Sequence, residues 1–90
     1  MVELDKIDFE ILFVLSRNDM VSEIKSTRIK DLNDLIDASY NTIVRRVKER
    51  LLANEYVKEG IKDSRAHTYY ITEKGQKLLK SKKLVEEDEY

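Results

Sequence analysis

The chain has 90 residues, of which 41% are apolar and 39% charged, with two glycines, no proline and no cysteine. That is enough for one small domain with one core and short connections, and too apolar for a disordered chain. The lack of cysteine excludes disulfides and thiolate metal sites, and no apolar run approaches the roughly 20 residues of a membrane span. The net charge of −1 conceals an uneven distribution. Residues 1–40 carry five Lys/Arg against nine Asp/Glu, a net of −4; residues 41–85 carry twelve against five, a net of +7; residues 86–90 add −4. A basic stretch within a neutral chain is an electrostatic footprint for a polyanion. Acidic residues crowd the N-terminus where a signal peptide would be basic, so a cytoplasmic location is expected.

Leu4, Ile7, Ile11, Val14 and Leu15 recur at helical spacing, and Phe9, Leu12 and Phe13 widen the stripe. Asp5 is placed to cap this first helix, and Asn18 and Asp19 end it. Its surplus apolar face is a possible surface for a second subunit. Val21 to Arg28 has no clear period, with a short strand near Thr27–Ile29 as one reading. Lys30 to Ile36 predicts a short helix with Ile29, Leu32, Leu35 and Ile36 inward. Asp31, Asp34 and Asp37 have spacing compatible with a hard cation, but no glycine-shaped loop accompanies them, and they read as a solvated face.

Asp37-Ala38-Ser39 is a tight break, and Ser39 is a strong N-cap. From Tyr40 the pattern is helical again, with Ile43, Val47 and Leu51 on one line and an end near Asn54, a residue that tolerates a left-handed stop. Asn41, Thr42, Arg45, Arg46, Lys48 and Glu49 are left for the outside. Two helices joined by a three-residue break form a helix-turn-helix, whose second helix enters a major groove. Tyr40, Asn41, Thr42, Arg45 and Arg46 occupy the half that meets base edges; asparagine pairs bidentately with adenine and arginine with guanine.

Tyr56–Ile61 and Ala66–Ile71 read as strands around a turn at Lys62-Asp63-Ser64-Arg65. Alternation sets Tyr69 and Ile71 on one face and Thr68 and Tyr70 on the other. Lys62, Ser64 and Arg65 form a charged tip suited to phosphate or to a narrow minor groove. Thr72 caps a last helix with Glu73 in its first turn and Leu78 and Leu79 inward. Residues 1–85 thus form the domain, and 86–90 an acidic tail. His67 stands alone on a strand, and no phosphate loop or spaced ligand set accompanies it, so no enzyme, cofactor or metal site is expected.

The run IKDLNDLIDASYNTIVRRVKERLLANEYV followed by DSRAHTYYITEKGQKLL resembles the winged helix-turn-helix regulators, MarR-like and PadR-like groups above all. Tyr70 to Gly75 followed by Leu78-Leu79 is the most family-like part, and the resemblance covers about residues 4–80. It implies a mostly α, α+β fold: a three-helix core, a two- or three-stranded β-wing and a C-terminal helix. It also implies a homodimer that binds double-stranded DNA through Ser39, Tyr40, Asn41, Thr42, Arg45, Arg46 and Lys48 on the recognition helix and Lys62, Ser64 and Arg65 on the wing. One departure is Glu55, which stands where the family usually has glycine before the first wing strand. The expected function is a transcriptional repressor. The alternatives are a centromere-binding protein of a plasmid or viral partition system, or a winged-helix protein-protein adaptor.

Overall fold

A computed structural model describes residues 4–62 and 65–87, with side chains followed to residue 81. The elements run α1 (Lys6–Arg17), β1 (Thr27–Arg28), α2 (Ile29–Leu35), α3 (Tyr40–Arg45), a π-helical continuation of α3 (Arg46–Leu52), β2 (Val57–Glu59), β3 (Thr68–Ile71) and α4 (Glu73–Glu87). Helix therefore extends into Glu86 and Glu87, which the sequence assigns to the acidic tail.

Helix α1 starts where its chemistry dictates. Asp5 Oδ1 accepts from the amides of Ile7 (3.1 Å) and Asp8 (3.3 Å), while Asp8 Oδ2 accepts from the Asp5 amide (3.0 Å). This reciprocal capping box satisfies donors that an uncapped first turn leaves open. The helix ends at Asn18, and Asp19 follows with a left-handed φ of 59°.

The second helical pair meets the core through Ile29, Leu32, Ile36, Ile43, Val47 and Leu51, all buried. In an α-helix, residues four apart drift around the axis by about 40° per step. Ile43 on α3 and Val47 and Leu51 on the wider π turns nonetheless share one face, and all three are fully buried. Leu35 differs from expectation: it is 62% exposed. Helix α2 stops there, and Ile36, in extended backbone, turns inward in its place. The stop after the π-helical turns also differs from the sequence reading. Asn54 closes the end with its side chain, donating Nδ2 to the Arg50 carbonyl (2.7 Å), and it is Glu55 that takes the left-handed conformation, with φ 63°.

Among the described residues, three antiparallel strands form a sheet in the order β1-β3-β2, with Thr27 opposite Tyr69 and Val57 opposite Ile71. Both outer strands are shorter than the sequence suggests. Gly60 still donates to the Thr68 carbonyl (2.9 Å), but the next amide, Ile61, turns to the Glu23 carbonyl (2.9 Å) in the loop before β1. That loop lies so close that a Cβ on Gly60 would fall 2.4 Å from Ser26 Oγ. It also buries Thr68, whose hydroxyl accepts from Ser26 Oγ at 2.9 Å. Tyr69 and Ile71 face the core as alternation requires. Burial and the neighbouring carboxylate of Glu59 push the Tyr69 phenol upward.

Thr72 joins the sheet to α4. Its Oγ1 accepts from the Gly75 amide (3.1 Å) and donates toward the carbonyls of Glu55 (2.6 Å) and Tyr56 (3.1 Å). Leu78 and Leu79 pack against the core from α4.

Candidate nucleic-acid interface

Ser39 caps α3, its Oγ accepting from the Thr42 amide at 3.2 Å and lying 2.8 Å from Thr42 Oγ1. The two hydroxyls therefore hold each other, which fixes the start of the helix. Tyr40 and Asn41 follow on the exposed side, with Tyr40 half exposed. Arg45 and Lys48 are exposed further along. Arg45 Nε lies 3.8 Å from Glu49 Oε2, a loose surface pair. Such a pair contributes little to stability and yields readily to a stronger anion.

Arg46 departs from the expectation of an exposed base reader. Its side chain is only 23% exposed and turns back to the start of α1, where Nη1 donates to Asp5 Oδ2 and lies 3.4 Å from Asp8 Oδ2. Arg50, one helical step further and absent from the sequence-based set, donates to Asp8 Oδ2 at 3.1 Å. Asp8 is fully buried, and its Oδ1 has no hydrogen-bond partner among the described residues. A buried carboxylate survives only with cations beside it, so these arginines offset the cost of burying Asp8. The bond from Arg46 holds the Asp5 carboxyl below the usual range against a smaller opposing effect of desolvation, and Asp5 raises Arg46 in turn. The sequence signals for this cluster are the capping spacing Asp5-x-x-Asp8 and the four-residue spacing of Arg46 and Arg50. Neither signal says that the two pairs meet.

Thr42, Arg45, Arg46, Glu49 and Arg50 line one polar groove along this helix. Lys62 and Arg65 are exposed at the β2–β3 turn; Asp63 and Ser64 lie outside the described residues. Lys62 shares a hollow with Arg28, Ile24 and Ile61, apart from the first groove. His67 is half exposed, with Nδ1 3.6 Å from Glu59 Oε1. Among the described residues no group of three or more His, Cys, Asp or Glu gathers as metal ligands, and no helix is long and apolar enough to cross a membrane.

No family model matches the sequence. The chain is 36% identical over 78 residues to the DNA-binding protein TubR of Clostridium botulinum C phage, a match spanning 87% of this chain and 95% of that protein. The solution structure of the DNA-binding TubR fragment from Clostridium botulinum aligns with a TM-score of 0.71 at 35% identity, over 89% of this chain and 98% of that one. TubR from Bacillus megaterium pBM400 shares the fold, with a TM-score of 0.72 at 24% identity over 83% and 81% of the two chains. These relatives carry the name TubR, where the sequence resemblance pointed to MarR-like and PadR-like regulators. With that identity sustained over nearly the full length of the phage protein, the chain belongs to the TubR family.

Proposed function

We propose that this protein binds double-stranded DNA as a winged helix-turn-helix homodimer and serves the partition of a plasmid or viral DNA. The observation that carries the reading is the 36% identity to a phage DNA-binding TubR over 87% of the chain. Family membership backs the partition alternative better than the transcriptional repressor, which becomes the weaker reading. The adaptor reading has no observation of its own.

In this reading α3 enters the major groove and presents Tyr40, Asn41 and Arg45, with Lys48 on its π-helical continuation, while Ser39 and Thr42 set the helix start against the phosphates. Lys62, Ser64 and Arg65 at the wing tip contact backbone or minor groove. Exposed Phe13 on α1 and Leu35 on α2 are apolar surface suited to a second subunit.

The test is selection of bound fragments from source and random duplex DNA at near-physiological salt, with wild type and an Asn41→Ala/Arg45→Ala variant. A cluster of repeated sites, lost in the variant while the fold survives, is the expected result. A single palindrome at a promoter would favour the repressor. Salt-labile binding without any enriched sequence would refute specific recognition.

A further inference from the structure

Asp5 and Asp8 share Arg46 and Arg50 but differ in burial, Asp8 being fully buried and the Asp5 side chain 46% exposed. Asp8 is fully buried and cannot release its cations without leaving a charge unpaired in the interior. Arg50, at 3.1 Å, is its nearer cation, and Arg46 lies at 3.4 Å. Asp5 is different, with its side chain 46% exposed and solvent-screened. Its Oδ2 holds Arg46, and screened pairs of this kind are weak and exchangeable. Arg46 also lines the same polar groove as the exposed Arg45. Arg50 thus lies nearest Asp8 and only 3.8 Å from Asp5, whereas the shorter of the two contacts of Arg46 is to Asp5, a partner that a phosphate can replace, with Asp8 Oδ2 at 3.4 Å.

We propose that Asp5 is a specificity-determining residue: its carboxylate holds Arg46 back, so that a duplex phosphate captures Arg46 only by displacing Asp5. This rests on the DNA-binding reading above. A loosely bound, non-specific duplex competes poorly with an acid already in hydrogen-bond contact. A correctly docked site, which brings a phosphate to a fixed position, competes well. The device therefore lowers non-specific affinity more than specific affinity, and the ratio between them governs site occupancy.

The two oxygens of Asp5 allow a clean test. Oδ1 caps α1 by accepting from the Ile7 and Asp8 amides, while Oδ2 holds Arg46. Asp5→Asn keeps a cap of equal quality and replaces the gripping oxygen with a donor. Asp5→Ser is a second cap-preserving variant should the first fail to fold. Binding to a random-sequence duplex and to the selected site is measured across a salt series for wild type, Asp5→Asn, Arg46→Ala and the double variant. In Asp5→Asn we expect random-duplex affinity to rise by about threefold to tenfold at low salt, with a salt slope steeper by about 0.9, the value for one added phosphate contact. The gain should vanish in the Arg46→Ala background. An unchanged slope overturns the proposal. So does an equal gain without Arg46, which would mean a general loss of negative charge. So does weaker binding to the selected site alone, which would make Asp5 a support that presents Arg46 to a base. If wild type binds no duplex even at low salt, the DNA-binding reading fails first, and the proposal falls with it.

Discussion

Gly75 sits in the first turn of α4, where alanine is normally the better residue by up to about 1 kcal/mol. The surroundings reverse that expectation. A Cβ built at Gly75 falls 2.4 Å from the Tyr56 carbonyl oxygen and 2.8 Å from Ile71 Cγ1. Tyr56 is backbone and Ile71 is fully buried in the core, so neither can swing aside as the end of a flexible side chain would. Helix α4 has to retreat by roughly 0.6 Å from Tyr56 merely to bring the contact out to 3.0 Å. That retreat pulls on the Thr72 amide, which donates to the same carbonyl at 3.0 Å, and on the Thr72 hydroxyl at 3.1 Å. Overpacking costs about 1–3 kcal/mol and each weakened hydrogen bond up to about 1 kcal/mol, against the propensity gain. Gly75→Ala should therefore lose about 2 kcal/mol, which in a domain of this size lowers Tm by roughly 8–16 °C. Thermal unfolding followed by circular dichroism, with urea titration to check that the m-value is unchanged, measures it. A variant as stable as wild type or more so would refute the close approach of α4 to the chain after the π-helical turns.

Two further substitutions probe the site's framework. Asp8→Ala removes the capping acceptor and leaves Arg46 and Arg50 facing each other without their shared carboxylate, a loss of about 2–4 kcal/mol softened by the partial exposure of Arg50; a change in the urea midpoint equivalent to under about 0.5 kcal/mol would show that the cluster does not support the fold. Glu55→Gly relieves a left-handed residue at φ 63° while leaving its carbonyl free to accept from Thr72, and should raise stability by about 0.5–1 kcal/mol, read as a higher Tm.

Periodicity and capping chemistry are local, and they made much of the fold legible in advance. The α1 stripe, the Asp5 cap, the Ser39 cap and the Thr72 start of α4 depend on residues within a few positions of each other, or on the common preference of polar side chains for free amides at helix starts. The charge asymmetry and the helix–break–helix–strands–helix order are also legible along the chain, as is Glu55 where the resembling regulators usually have glycine.

Tertiary structure decided what happens between elements distant in sequence. Whether an arginine on the α3 continuation faces solvent or another helix depends on a carboxylate some forty positions away, and no helical period carries that information. Helical spacing therefore leaves Arg46 on the outside, whereas the N-terminus of α1 supplies its partner. Apolar spacing places Leu35 inward because it does not register where a helix stops and the next residue turns inward. Strand β2 ends early because a loop from another part of the chain takes the Ile61 amide. The sequence by itself determined which elements form and where their ends are capped, because those energies are local. Only packing determined which charges stay exposed on the helix that follows the break, because pairing a buried acid outweighs leaving its nearest arginines in solvent.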